Sequence, residues 1–228
     1  STIDPYLQSH PLPTERIGLM EAAVKASPSY NAPDNPALQA RHELARAKLV
    51  GFVADTGEIS RRYPVSDQSL AARYARAIQA YRFGRLADAN SQIDALIAAQ
   101  PGNAFFHELK GQALLESAKA RDSIPYLQKA ASLSGNAQPI RVLLGHALIA
   151  TNDLKHVDEA IRILTSVTQQ DDDYAEAFQY LAMAYDRKGN QPMAQLSAAE
   201  SLFREGQYVE ARTQAARAQQ QFKKGSPG

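Results

Sequence analysis

The chain has 228 residues, of which 44% are hydrophobic and 21% are charged, and its formal net charge is +1. This composition is ordinary for a folded, well-packed protein. Without an excess or a block of Lys and Arg, nucleic acid is not expected as the main partner. The lack of cysteine excludes disulfides and thiolate metal sites. No apolar run in the sequence approaches the roughly 20 residues that a membrane-spanning helix needs.

The first 67 residues predict an N-terminal arm and linker helices. The chain begins at Ser1 without an initiator Met or a signal peptide, so we expect it to be a piece of a longer protein. Three prolines and no helical period predict an extended arm over residues 1–13. Apolar residues at helical spacing predict a short helix over 14–27 and a longer one over 36–55. Gly57 and Pro64 then predict a break in helical structure over 56–67.

The stretch from Tyr174 to Ala194 carries a helix, turn, helix signature of the kind found in tetratricopeptide repeats of about 34 residues. Phe178, Leu181 and Tyr185 recur at helical spacing and share one face, and Gly189 suits a tight turn. A unit of this type cannot bury its apolar face alone. The signature therefore predicts neighbouring repeats.

Matching units lie over residues 70–103, 104–137 and 138–173, before the signature. Gly84 and Ala118 are 34 residues apart, as are Gly111 and Gly145. The third unit has about three extra residues at its turn, which predicts a longer loop between its helices. Downstream, Gly206 fits a further turn, so that one helix over 192–205 serves two units.

We therefore predict an all-α fold of roughly eleven helices. Residues 1–67 form the arm and linker helices, and residues 68–228 form a tetratricopeptide-repeat right-handed superhelix, an α–α solenoid with about four repeats plus a terminal half.

Two segments give a family resemblance. The arm SHPLPTERI (9–17) and the segment RAKLVGF (46–52), followed by degenerate repeats, resemble the C-terminal half of bacterial zinc metallopeptidases with a repeat tail, the group of the periplasmic beta-barrel assembly-enhancing proteases. The HExxH motif of that family is absent from this sequence. The resemblance implies that the chain is not itself an enzyme. It also implies a zinc metalloendopeptidase as parent, with its catalytic half upstream of Ser1, and a periplasmic role in outer-membrane assembly.

Two histidines raise the question of a metal. His42 opens HELAR, which imitates the first half of a zinc motif, but the second ligand position holds Arg46, so a solvated helical face is the preferred interpretation. The resemblance implies that His10 lies close to the metal of the parent, where its imidazole could occupy the open coordination position and act as a gate. The alternative for His10 is an ordinary loop histidine. No cofactor is expected in the chain itself, and zinc is expected in the parent.

In repeat solenoids the first helices line an extended binding surface. Counting along each unit predicts a partner-binding groove formed by Tyr74, Ile78, Tyr81, Arg82, Phe105, Glu108, Gln112, Leu115, Val142, His146, Ile149, Gln179, Met183, Asp186 and Arg187. The set is partly apolar, which suits an extended or helical segment of a partner. The alternative is that Tyr74, Ile78 and Tyr81 pack against the N-terminal helices.

We interpret the chain as a protein–protein interaction module, the substrate- or partner-docking tail of a zinc-dependent metallopeptidase in envelope protein quality control. The expected partners are protein or peptide segments, such as outer-membrane assembly machinery or the parent's catalytic domain. Two alternatives stay open. One is an intramolecular regulatory domain that restrains the parent peptidase, with His10 as the metal gate, and the other is a free-standing adaptor.

Overall fold

The computed structural model describes residues 13–33, 35–171 and 173–222. Within these ranges the regular structure consists of twelve α-helices and no strands, which confirms the all-α prediction. The helices are α1 (Pro13–Lys25), α2 (Pro36–Val53), α3 (Thr56–Arg62), α4 (Leu70–Arg82), α5 (Leu86–Ala99), α6 (Ala104–Glu116), α7 (Ala120–Leu133), α8 (Gln138–Ala150), α9 (Leu154–Gln170), α10 (Ala175–Arg187), α11 (Gln191–Arg204) and α12 (Tyr208–Gln221).

The chain divides into two compact units, Ser1–Ala45 and Arg46–Gly228. This division falls within α2, whereas the predicted boundary between residues 67 and 68 lies inside the second unit. In the first unit, Asn35 stabilises the start of α2 because its side-chain oxygen accepts hydrogen bonds from the amides of Ala37, at 2.9 Å, and Leu38, at 3.3 Å. The apolar residues of α1 are exposed. Residues 1–12, which include most of the predicted arm, lie outside the described residues.

Helix α3 corrects the break that we predicted over residues 56–67. Its first turn is capped by Asp55, whose carboxylate accepts a hydrogen bond from the amide of Glu58 at 2.9 Å. Ile59 is fully buried and anchors the helix. With only seven residues, α3 is too short to show a helical period in the sequence.

Helices α4 to α12 form the repeats, and each packs against the next along the chain. Three residues join the helices of each repeat. The middle one adopts a positive φ in every case, at Gly84, Ala118, Asn152, Gly189 and Gly206. After the first of these turns, the amide of Arg85 donates to the carbonyl of Ala80 at 2.9 Å, a bond that uses one of the free carbonyls at the helix end. The recurring left-handed residue therefore sets each helix reversal.

The third repeat differs from the prediction. Its turn, residues 151–153, is no longer than the others, and Asn152 keeps the left-handed conformation with φ of 58°. The additional residues instead extend the second helix: α9 has 17 residues, whereas α5 and α7 have 14 each. The buried residues of α9 run from Val157 to Val167, which lies in the last turn of the helix. Packing therefore stabilises the extension.

Glycine allows the two helices of a repeat to approach closely. A Cβ atom on Gly111 would lie 2.5 Å from Cγ of Leu127, and a Cβ atom on Gly145 would lie 2.8 Å from Cγ of Leu164. Both leucines are fully buried. The 34-residue offset between the two glycines in the sequence therefore marks equivalent helix contacts.

One helix serves two units at the C-terminal end, as predicted. α11 packs against both α10 and α12. The hydroxyl of Ser201 in α11 donates to the carbonyl of Ala175 at 3.0 Å, and Ala211 and Ala218 of α12 are buried. Gly206, with φ of 78°, forms the turn between α11 and α12.

Candidate partner-binding face

The structure divides the fifteen predicted groove residues into three groups. Five are buried and belong to the packed interior, which corrects the expectation that they line an open groove: Tyr74, Ile78, Tyr81, Val142 and Ile149. Four are half-buried: Glu108, Gln112, Leu115 and His146. Six are exposed: Arg82, Phe105, Gln179, Met183, Asp186 and Arg187. A binding role for the ten accessible residues stays a prediction.

The C-terminal part of α2 covers the first repeat. Gly51 lies against Ile78, since a Cβ atom on this glycine would be 3.0 Å from Cβ of Ile78. Phe52 and Tyr81 make an edge-to-face ring contact with centroids 6.3 Å apart. Arg82 donates to the carbonyl of Gly51 at 3.0 Å and also to that of Ala54. Ile78 and Tyr81 therefore pack against an N-terminal helix, as the alternative to an open groove predicted.

Lys48 of α2 extends this cover to α6. Its Nζ lies 2.6 Å from Oε2 of Glu108 and 4.7 Å from the ring centroid of Phe105. Glu108 is thus paired within the chain, and a cation is held between a carboxylate and an aromatic ring. Tyr74 is covered differently, by an edge-to-face contact with Phe106 at 5.0 Å.

Beyond this cover, accessible polar and aromatic side chains from α6, α8, α10 and the residue just before α10 form a surface that we call the first-helix face. It contains Gln112, Glu116, His146, Tyr174, Glu176 and Tyr180. Glu116 accepts hydrogen bonds from the hydroxyl of buried Tyr81 and from Nε2 of Gln112. The rings of His146 and Tyr180 stack with centroids 4.4 Å apart and planes 16° apart. The Tyr180 hydroxyl donates to Glu176 at 3.2 Å.

The electrostatics of the first-helix face are dominated by carboxylates. Burial lowers the pKa of His146, and the charges of Glu176 and Glu116 oppose this effect only in part. Burial and the neighbouring Glu176 raise the pKa of Tyr180 to about 12. Burial, Glu176 and Asp171 raise the pKa of Tyr174. At neutral pH the imidazole and both phenols are therefore uncharged.

Four members of this face were missed by the sequence prediction: Glu116, Tyr174, Glu176 and Tyr180. Glu116 follows Arg82, a predicted residue, by 34 positions, so the repeat offset could have found it. Glu176 and Tyr180 are four residues apart and so share a side of α10. The His146–Tyr180 stack depends on how α8 and α10 pack, which no residue pattern in the sequence reveals.

A cleft of about 390 Å³ lies elsewhere in the second unit and is lined in part by Arg73, Arg76 and Arg85. Arg76 donates to the carbonyl of Pro64 at 2.8 Å, and Arg85 lies 3.4 Å from the carboxylate of Asp88. Two of the three guanidinium groups therefore already have bonding partners within the fold.

The described residues form neither a cluster of metal ligands nor a membrane-spanning helix. In these ranges no three His, Asp or Glu side chains are grouped so that they could hold a metal ion. His42 lies on α2, and His10 is outside the described residues. None of the helices that the structure describes is long and apolar enough to cross a membrane.

Helix pairs with left-handed residues in their turns define a tetratricopeptide-repeat solenoid. Solved structures agree on this fold: "YrrB: a TPR protein with an unusual peptide-binding site" has a TM-score of 0.60 and 22% identity, covering 76% of this chain and 90% of that one. "MamA RS-1 ArsTM double mutant" has a TM-score of 0.59 and 16% identity, covering 74% of this chain and 95% of that one. No family model matches the chain.

Curated relatives give the more particular similarity. The Beta-barrel assembly-enhancing protease of Escherichia coli (strain K12) is 27% identical over 229 residues, which cover 96% of this chain and 45% of the relative. The protease of the same name from Yersinia pestis is 26% identical over 213 residues, which cover 90% of this chain and 42% of the relative. The chain thus spans less than half the length of these relatives. The predicted resemblance is confirmed: the chain is a tetratricopeptide-repeat region similar to these proteases.

Proposed function

We propose that this chain is the substrate- or partner-docking region of a longer zinc-dependent metallopeptidase that acts in protein quality control of the bacterial envelope. The similarity to beta-barrel assembly-enhancing proteases over 96% of the chain supports this parent, and it also supports the periplasm as the compartment. The zinc belongs to the parent's catalytic part. The docking region itself contributes binding and no chemistry.

The first-helix face is the observation that carries the docking function. It brings carboxylates, an amide and three aromatic rings from three successive repeats to one surface. Gln179 and Met183 of α10 are exposed and add an amide and an apolar side chain. This mixture suits a polypeptide segment, because amides and carboxylates can bond its backbone and rings can cover its apolar side chains. A structural neighbour is itself described as having a peptide-binding site.

The absence of cysteine from the chain allows a direct test of docking. Single cysteines are introduced as Gln179→Cys on α10 and Gln128→Cys on α7, two exposed glutamines, and each is coupled to a bulky polyethylene glycol maleimide. Binding of unfolded casein is then measured by biolayer interferometry. We expect the bulky group to weaken binding when it is on α10 and to have little effect on α7. Equal loss at both positions, or none at either, contradicts docking on this face.

The parent's chemistry is tested separately with the longer protein. We expect it to cleave casein and to lose this activity when a chelator removes zinc. Cleavage that resists the chelator, or an upstream sequence without HExxH, would instead favour a free-standing adaptor.

One observation favours a second function, intramolecular restraint of the parent. Residues 46–54 already cover parts of the first two repeats, since Phe52 packs on Tyr81 of α4 and Lys48 pairs with Glu108 of α6. Such a region binds segments of its own chain as well as foreign ones. In this reading His10 gates the parent's metal, and His10→Ala in the parent raises activity or changes zinc affinity. If activity and zinc affinity both stay unchanged, the hypothesis that His10 acts as a gate is wrong.

A further inference from the structure

We propose that the first-helix face contains a subsite for a cationic side chain, a Lys or Arg of an extended polypeptide, formed by Glu116, Glu176 and the stacked rings of His146 and Tyr180. This inference rests on the proposed docking function and adds the chemistry of the partner. The binding energy would come from the two carboxylates and from contact of the aliphatic stem with the rings.

The chain itself shows how such a cation is held. Lys48 of α2 places its ammonium 2.6 Å from Glu108 and 4.7 Å from the ring centroid of Phe105, both on α6. The aromatic residue and the carboxylate are three positions apart on one helix. α10 offers the same combination four positions apart, with Glu176 and Tyr180 linked by a hydrogen bond of 3.2 Å. Each helix thus carries a carboxylate and an aromatic ring about one turn apart, in opposite order along the chain.

Among the ion pairs formed by described residues, none includes Glu116 or Glu176. Glu176 accepts a hydrogen bond from Tyr180, whose ring stacks on His146. The charges of Glu176 and Glu116 both oppose the lowering of the pKa of His146. Glu116 is held in place by hydrogen bonds from Tyr81 and Gln112. Two fixed carboxylates beside one stacked ring pair favour a positive charge at that point.

Two cationic side chains on the covered side of the repeats have partners within the chain. Lys48 is paired with Glu108, and Arg82 donates to the carbonyls of Gly51 and Ala54. His146 does not supply a cation at neutral pH, because its burial favours the neutral imidazole. A cationic side chain of a partner would complement the two carboxylates.

The test uses two fluorescein-labelled peptides of roughly eight residues, long enough at about 3.3 Å per residue to cross adjacent helices. One alternates Lys with Ala and Tyr, and its twin carries Gln in place of each Lys. Fluorescence anisotropy gives the Kd of each peptide for the full chain. We expect the lysine peptide to bind more tightly than its twin. This advantage should shrink as salt rises from about 0.01 M to 0.15 M, which shortens the screening length from about 30 Å to 8 Å.

Matched variants locate the effect. Glu116→Gln and Glu176→Gln keep an oxygen that accepts the hydrogen bonds of Tyr81 and Tyr180, so the fold is retained, which circular dichroism verifies. We expect each to weaken the lysine peptide by about two- to fivefold, the range of an exposed ion pair, and the double variant to weaken it further. The control Glu210→Gln lies in the first turn of α12, as Glu176 lies in the first turn of α10, and it should have no effect.

The proposal is wrong if the lysine peptide does not bind, if both peptides bind equally, or if Glu210→Gln acts like the other two variants. The casein experiment distinguishes failure of the cationic subsite from failure of docking itself. Suppose that the bulky group at position 179 blocks casein binding, whereas Glu116→Gln and Glu176→Gln leave it unchanged. Docking on the first-helix face would then be supported, and the cationic subsite would be wrong.

Discussion

Gly111→Ala perturbs the closest helix contact of the second repeat. The new Cβ would lie 2.5 Å from both Cγ and Cδ2 of Leu127, which is fully buried. Because Cγ is near the backbone, rotation at the end of the leucine side chain cannot relieve the overlap. The two helices must therefore move apart or the leucine must leave its favoured rotamer.

The expected magnitude follows from two opposing effects. Overpacking a core costs about 1–3 kcal/mol, and a distance of 2.5 Å places this site in the upper part of that range. Replacing Gly by Ala inside a helix stabilises it by about 1 kcal/mol. The net loss is about 1–2 kcal/mol. For a chain of this length it lowers the melting temperature by about 2–8 °C.

Thermal unfolding followed by circular dichroism measures this loss, and a double-mutant cycle assigns it. In a Leu127→Ala background the overlap is gone, so Gly111→Ala should be neutral or should stabilise by up to about 1 kcal/mol. Gly102→Ala, whose Cβ would meet nothing within 4 Å, is the control without an overlap. If Gly111→Ala melts at or above the native temperature with Leu127 intact, the close-contact argument is refuted.

Three further predictions concern the turns, the ring stack and the helical cover. Ala118 has φ of 59°, so Ala118→Gly should stabilise the chain by about 1 kcal/mol in denaturant unfolding, whereas Ala95→Gly in α5 should destabilise it by a similar amount. The pKa of His146 is lower in the folded state, so its contribution to stability is complete above the unfolded pKa of about 6.5 and is lost as pH falls through the lower folded pKa. Melting temperatures should therefore fall less between pH 7 and pH 5 for His146→Gln than for the native chain, and equal slopes would contradict this. Lys48→Met keeps most of the stem contact but leaves Glu108 unpaired, so it should cost about 1 kcal/mol or less at this partly exposed pair, a loss that vanishes in a Glu108→Gln background.

The repeat architecture could be predicted from the sequence because it depends on local spacing. Gly84, Gly189 and Gly206 mark turns, and their distances along the chain set the helix pairs. The extra residues of the third repeat were misplaced, because sequence length alone does not say whether a loop or a helix absorbs an insertion. Asn152 was the missed signal, since asparagine is among the few residues that adopt the left-handed conformation readily.

The candidate site was less predictable for a physical reason. Exposure depends on which other segment covers a side chain, and the sequence does not state that residues 46–54 cover Ile78 and Tyr81. Likewise, the stack of His146 on Tyr180 is a contact between helices of different repeats. Charges on a face, such as Glu116 and Glu176, can be placed by repeat offset once the pairing of helices is known.

Mapping a bound peptide on the chain tests the central claim, docking on the first-helix face, most directly. Backbone amide chemical shifts of the isotope-labelled chain are followed by NMR during titration with the lysine peptide. We predict that perturbations concentrate on α6, α8 and α10, with the largest near Glu116, His146 and Glu176. Perturbations concentrated on α5, α7 and α9 would contradict docking on this face.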